Sequence, residues 1–127
     1  MACLILLIED NDDIRENTVE LLELEGYDVL AAGDGSRALE LIAEQIPDLI
    51  VCDVVMPGLN GYDVFDTLQN NPNTRSIPFI FTTAQSERTD LAKAKSLGVR
   101  HYLVKPFDDK ELLACINTAS MVTGTNH

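Results

Sequence analysis

Five short apolar runs recur along the chain, and each is followed by a segment whose apolar residues have helical spacing. None of the runs shows the polar alternation of strands that face solvent, so they resemble strands covered on both faces. They occupy residues 4–8, 29–32, 49–52, 79–81 and 102–104. Repeated strand–helix units predict an α/β fold: a doubly wound, five-stranded parallel sheet with five helices.

The predicted helices are marked by apolar stripes and by capping or breaking residues. The first begins at Asn11 or Asp12 and ends at Gly26, and the second stops before Pro47. The others cover residues 62–68, 88–97, where the stripe is weakest, and 112–119. The length of 127 residues suits one domain, which we place at residues 1–120. We expect residues 121–127 to form a flexible tail or the start of a linker.

The charge and the cysteines restrict the location and the partners. A net charge of −12 disfavours direct contact with nucleic acids and with anionic membranes. The three cysteines, Cys3, Cys52 and Cys115, are odd in number and widely spaced, as expected for reduced thiols. The apolar N-terminus is too short for a signal peptide or a membrane span. These features predict a cytoplasmic protein.

Polar residues follow four of the five runs, where the ends of parallel strands meet at one edge. They are Glu9, Asp10, Asp53, Thr83 and Lys105. Three neighbouring carboxylates repel one another unless a proton or a cation lies among them. Hard oxygen ligands of this kind suit Mg²⁺, which also favours phosphate ligands. The pattern therefore predicts a magnesium site.

Asp53 is the natural nucleophile of this set, because a carboxylate that attacks phosphorus gives an acyl phosphate. Lys105 is suited to a phosphate oxygen or to the free Asp53 carboxylate. Thr83 offers a hydroxyl donor to a phosphoryl oxygen. We expect phosphoryl transfer onto Asp53 at this edge of the sheet.

The motifs together resemble the receiver domain of response regulators in two-component signalling. They are Ile8-Glu9-Asp10, the run ending in Asp53 with Met56-Pro57-Gly58 and Gly61, Thr83-Ala84, and Lys105-Pro106-Phe107. The resemblance covers nearly the whole chain. It implies a flavodoxin-like fold with strand order 2-1-3-4-5 and a phosphoryl group donated by a histidine kinase or phosphotransfer protein.

The resemblance also implies a role for each residue. Mg²⁺ is bound by the side chains of Glu9, Asp10 and Asp53 and by the backbone carbonyl of Val55. Lys105 contacts the phosphoryl group, and the Lys105–Pro106 peptide is cis. Thr83 and Tyr102 form the switch, which changes the face made by the predicted fourth helix, the fifth strand and the last helix. The domain catalyses its own phosphorylation and dephosphorylation and is not a conventional enzyme.

Three positions bear on how closely the chain follows this family. Glu9 occupies a place where Asp is commoner. The resemblance implies that Val55 and Gln85 flank the path of the hydrolytic water, and Val55 cannot hydrogen-bond that water. We therefore expect no fast dephosphorylation from this side.

The expected partners follow from the same resemblance. The kinase docks on the first helix and the loop 106–109, and the signal passes to a downstream effector protein or to an output domain absent from this sequence. We expect no direct nucleic-acid or membrane contact. The chain is expected to be a monomer or a phosphorylation-dependent dimer.

Three alternative functions share parts of this pattern. A receiver-like module could bind partners without phosphorylation. A Mg²⁺-dependent phosphatase with an aspartate nucleophile needs a second Asp at position 55, where this chain has Val55. A flavin binder needs a hydroxyl-rich loop after the first strand, where this chain has an acidic one.

Overall fold

The computed structural model describes residues 3–84 and 96–124. Its centre is a parallel sheet with the strand order β2-β1-β3-β4-β5, as the sequence predicts. The strands are β1 (Leu4–Ile8), β2 (Asp28–Ala32), β3 (Leu49–Asp53), β4 (Phe79–Ala84) and β5 (His101–Lys105). The strand order reverses between β1 and β3, so the site edge lies at the switch point of the sheet.

Four helices lie within the described residues, namely α1 (Asp12–Leu24), α2 (Gly35–Glu44), α3 (Gly61–Gln69) and α4 (Asp109–Gly124). Asn11 caps α1, and Gly26 has a φ of +96°, which suits glycine after a helix end. The fourth helix predicted at residues 88–97 falls almost entirely outside the described residues. Helix α4 is the predicted last helix, and it continues past residue 120 to Gly124.

Hydrophobic residues cover both faces of the sheet. Alternate residues of β1 point to opposite sides: Leu6 and Ile8 pack with α2 and α3, whereas Ile5 and Leu7 pack with α1 and α4. The central strand β3 is buried along its whole length. This two-sided burial explains why the strands appear in the sequence as continuous apolar runs.

At their carboxyl ends, three strands extend beyond the apolar runs that predicted them. Asp53 ends β3, Thr83 and Ala84 belong to β4, and Lys105 ends β5. The parallel ladder continues through these polar residues, because Asp53 pairs with Thr82 and Ala84 pairs with Lys105. The prediction that these residues follow their strands was therefore wrong, and the strands end one to three residues later than predicted, because backbone pairing does not depend on side-chain polarity.

The three cysteines are free thiols, and Cys52 is buried. Among the described helices, none has the length and the hydropathy required to cross a membrane.

Candidate functional site

An ion pair connects three strand ends at the carboxyl edge of the sheet. The Lys105 Nζ atom donates hydrogen bonds to Asp53 Oδ2 at 3.0 Å and to Glu9 Oε1 at 3.1 Å. Glu9 is 4% exposed and Asp53 is 7% exposed, so both carboxylates are largely removed from water. One ammonium group thus partly neutralises two buried acids that come from distant parts of the chain.

Asp10 completes an acidic cluster with these two residues. One carboxylate oxygen from each of Glu9, Asp10 and Asp53 lies within 4.8 Å of the others. Asp10 is exposed, which leaves the cluster open to solvent on one side. Among the residues that the structure describes, this cluster of three carboxylates bonds to one ammonium group, so it keeps an excess of negative charge. An all-oxygen donor set with an open side fits a hard divalent cation such as Mg²⁺.

The titration behaviour of the site reflects burial and charge. Burial raises the pKa of Glu9, and the negative charge of Asp53 raises it further, although the Asn11 N–H and Lys105 act in the opposite direction. Burial alone would lower the pKa of Lys105, but its hydrogen bonds and charge interactions with Asp53 and Glu9 together raise it. Lys105 therefore stays a cation at neutral pH.

The start of α1 orients Glu9. The backbone N–H of Asn11 donates to Glu9 Oε2 at 3.2 Å, and the Asn11 side chain accepts from the Ile14 N–H at 2.9 Å. Asn11 therefore both caps the helix and holds the buried glutamate. The Glu9 side chain reaches the cluster from the end of β1.

The backbone at Asp53 packs closely against Gly61, the first residue of α3. A Cβ atom added at Gly61 would lie 2.7 Å from the Asp53 carbonyl oxygen and 2.9 Å from the Val54 Cα atom. Only glycine therefore fits at the first residue of α3. On the open side, the Val55 N–H donates to Asp53 Oδ1 at 3.3 Å. The Asp53 carboxylate is thus fixed by contacts to both of its oxygens.

The other predicted site residues lie at or near this edge. Thr83 is buried one residue before the end of the described part of β4, and Tyr102 is partly buried against the core on the α2–α3 side. The Lys105–Pro106 peptide is cis. The Val55 side chain is 53% exposed beside Asp53. Gln85 lies outside the described residues.

Arg15 contacts this site and was not predicted from the sequence. Its Nη1 atom donates to the backbone carbonyl of Glu9 at 2.9 Å, and its Nη2 atom contacts Asp12 Oδ1 at 2.6 Å. The available signal was a lone cation one turn into α1, directly after an acidic loop. A pattern of this kind is common for solvent-exposed helix pairs, so it did not stand out.

Comparisons of sequence agree with this geometry. The sequence profile of the response regulator receiver domain matches residues 5–117. Protein PilH of Pseudomonas aeruginosa is 36% identical over 113 residues, which cover 89% of this chain and 93% of PilH. The transcriptional regulatory protein CpxR of Escherichia coli K12 is 41% identical over 112 residues, covering 88% of this chain but 47% of CpxR.

Solved structures lead to the same family. A response regulator from Chloroflexus aurantiacus superposes with a TM-score of 0.90 at 30% identity, covering 95% of this chain and 99% of the other. Chemotaxis protein CheY4 of Vibrio cholerae superposes with a TM-score of 0.87 at 26% identity, covering 94% and 99% of the two chains. The chain belongs to the response regulator receiver family of two-component signalling. It spans most of PilH but about half of CpxR and of several other curated relatives.

Proposed function

We propose that Asp53 accepts a phosphoryl group from the phosphohistidine of a histidine kinase or phosphotransfer protein, in a reaction that requires Mg²⁺. The observation that carries this proposal is the contact of Lys105 with Asp53, next to a cluster of three carboxylates. A buried carboxylate with one cation and two acidic neighbours is suited to nucleophilic attack on a phosphoryl group.

The transfer forms one bond to phosphorus and breaks another. An Asp53 carboxylate oxygen forms a bond to phosphorus while the bond between phosphorus and the donor imidazole nitrogen breaks. The imidazole, whose other ring nitrogen carries a proton, leaves with the electron pair as a neutral base, and Asp53 becomes an acyl phosphate. Lys105 stays protonated and offers its N–H groups to the phosphoryl oxygens, while the Thr83 hydroxyl donates to another of them.

The metal site would be formed by the side chains of Glu9, Asp10 and Asp53 and by the backbone carbonyl of Val55. The acidic cluster supports this assignment, because its carboxylates repel one another until a cation is bound. When bound, Mg²⁺ neutralises charge on the phosphoryl oxygens. Without bound metal, Lys105 partly neutralises the negative charge of Glu9 and Asp53.

The switch would run through Thr83 and Tyr102. A phosphoryl group on Asp53 would draw the Thr83 hydroxyl towards it, and Tyr102 would turn inward behind it. These contacts would shift the equilibrium between two conformations of one face of the domain. That face is made by β5, α4 and the helix predicted at residues 88–97. Phosphorylation-dependent dimerisation, or contact with an effector or an output domain, would use this face.

The kinase would dock beside the site on α1. A groove of about 490 Å³ lies between α1 and the segment after β5 and is lined mainly by apolar side chains. Its residues include Ile14, which is 43% exposed, together with Pro106 and Phe107. An apolar groove next to Lys105 would place a donor imidazole near Asp53.

The first test is phosphorylation by acetyl phosphate with Mg²⁺, followed by intact mass spectrometry. We expect a gain of one phosphoryl group that disappears with a chelator and in Asp53→Asn. If the wild-type protein binds Mg²⁺ but gains no mass, the alternative of a module that acts without phosphorylation is favoured. Continuous release of phosphate from unrelated phosphomonoesters would instead favour a phosphatase.

A second test separates docking from chemistry. Ile14→Asp should slow transfer from a phosphorylated histidine phosphotransfer protein and leave the reaction with acetyl phosphate unchanged. Ile46→Asp is the matched control, since Ile46 is 50% exposed but does not line the groove. Equal slowing in both variants would contradict docking at α1.

A further inference from the structure

Arg15 makes contacts that differ from those of an ordinary surface arginine. Only 21% of its side chain is exposed, although its Asp12 partner is 79% exposed. One guanidinium nitrogen donates to Asp12, but the other donates to the backbone carbonyl of Glu9 at 2.9 Å. Arg15 therefore forms a hydrogen bond with the backbone of the acidic site in addition to its ion pair with Asp12.

The Glu9 carbonyl that accepts this hydrogen bond belongs to the peptide that joins Glu9 to Asp10. The Glu9 N–H is already fixed, because it donates to the Ala32 carbonyl at 3.1 Å. The hydrogen bond from Arg15 fixes the plane of the next peptide, and this plane sets the directions in which the Glu9 and Asp10 side chains leave the backbone. We propose that Arg15 is a positioning residue for the metal site, acting through the Glu9–Asp10 peptide. This inference rests on the proposed function.

Gly33 limits the movement of the guanidinium on the side of the sheet. A Cβ atom added at Gly33 would lie 3.2 Å from Arg15 Nη1 and 3.8 Å from its Cζ atom. Gly33 directly follows β2, so Arg15 is held between the start of α1, the end of β1 and the loop before α2. A guanidinium confined in this way can hold a peptide plane more firmly than an exposed flexible cation can.

The direction in which Mg²⁺ affinity changes when Arg15 is removed distinguishes a positioning role from a purely electrostatic one. If Arg15 acted only as a nearby positive charge, its removal would reduce repulsion and tighten Mg²⁺ binding. If it positions the ligands, its removal weakens binding, because Mg²⁺ demands nearly ideal octahedral geometry. Groups that orient metal ligands typically contribute about 10–100-fold to metal affinity.

The experiment is a calorimetric Mg²⁺ titration of the full chain and of matched variants. Arg15→Ala should weaken Mg²⁺ binding by about tenfold or more. Arg37→Ala is the control: it removes another i,i+3 pair with an acid, but that pair is exposed on α2. It should change the affinity by less than about twofold. Asp12→Asn, which removes the ion pair and keeps the bond to the Glu9 carbonyl, should also have a small effect.

Gly33→Ala provides a second, independent variant. The added methyl group should displace the guanidinium and weaken Mg²⁺ binding by a smaller factor than Arg15→Ala. In the Arg15→Ala background the same methyl group should have no further effect, because the two changes act through one contact. The single variant Gly33→Ala keeps the test valid even if Arg15→Ala is too unstable to titrate, because unchanged Mg²⁺ affinity in Gly33→Ala would then overturn the inference.

The outcomes distinguish the inference from the proposed function. If the wild-type chain binds no Mg²⁺, the proposed function fails and the inference fails with it. If the wild-type chain binds Mg²⁺ and Arg15→Ala binds it equally well or more tightly, only the inference is overturned. Equal weakening in Arg15→Ala and Arg37→Ala also overturns it, because a general loss of stability would then explain both.

Discussion

Lys105 and Asp53 form a hydrogen-bonded ion pair at 3.0 Å, and the same ammonium group also bonds to Glu9 at 3.1 Å. The three residues come from the ends of β5, β3 and β1, and 96 positions separate the most distant two. Burial of the two acids strengthens this arrangement, because water does not screen it fully. Within the described residues, Lys105 is the cation that bonds to both buried acids.

Lys105→Ala should lower the free energy of unfolding by about 1–3 kcal/mol in a chelator, because two buried carboxylates lose their charged partner. Adding Mg²⁺ should narrow this difference, since a bound cation replaces the lost charge. The measurement is urea unfolding with and without Mg²⁺. Lys110→Ala serves as the control, because Lys110 is exposed and lies outside the acidic cluster. A similar loss in both variants would contradict the prediction.

Gly61→Ala should impair the site and the fold together. The added methyl group would meet the Asp53 carbonyl and the Val54 Cα atom, so the start of α3 or the end of β3 must move, at a cost of about 1–3 kcal/mol. We expect slower phosphorylation by acetyl phosphate. Gly26→Ala is the matched control: its φ of +96° strains an alanine, but no atom lies within 4 Å of the added Cβ. Normal phosphorylation of Gly61→Ala would contradict the positioning of Asp53 by this contact.

Val55→Asn should shorten the lifetime of the phosphorylated protein. Val55 is exposed beside Asp53. On the proposed function, a water must attack the acyl phosphate there, and a valine side chain cannot hydrogen-bond that water. An amide at this position can hold that water, so we expect hydrolysis to accelerate severalfold, with an effect of about 1 kcal/mol. The measurement is the decay of the phosphorylated mass after removal of the donor. Leu59→Asn, on the same loop, should leave the decay unchanged, and a wild-type lifetime of seconds would overturn the argument.

His101 should make the fold less stable as the pH falls from 7 to 5. Burial lowers the pKa of His101, and the charge of Arg100 lowers it further. A lowered histidine pKa means that the unfolded chain binds the proton more readily, so this contribution to stability is present above about pH 6.5 and is lost below it. Urea unfolding of the wild type and of His101→Gln should show a smaller loss in the variant. Parallel pH profiles would contradict this assignment.

The sheet and the candidate site were largely predictable, for a shared physical reason. Strands covered on both faces need continuous apolar runs, and the chain carries five of them. Because parallel strands end at one edge, the polar residues at those ends had to lie close together. The ends of the strands were predicted less accurately. Asp53 and Lys105 pair with neighbouring strands of the sheet, although their charge suggested positions in loops.

The contacts that support the site were not predictable in the same way. Arg15 lies on a helix among acids, where its spacing from Asp12 indicates only a surface pair. Its bond to the Glu9 carbonyl depends on how α1 packs beside β1 and on the space left by Gly33. The fit of Gly61 against Asp53 likewise depends on the path of the loop before α3. Such contacts follow from three-dimensional packing and leave no periodic pattern in the sequence.

The most direct test of the central claim is to identify the phosphorylated residue. The protein is phosphorylated with acetyl phosphate and Mg²⁺, treated with borohydride, which reduces an aspartyl phosphate to homoserine, and digested for peptide mass spectrometry. We predict homoserine at position 53 and at no other aspartate. Homoserine at Asp10 or elsewhere, or none in a protein that has gained the phosphoryl mass, would contradict the assignment of Asp53 as the phosphoryl acceptor.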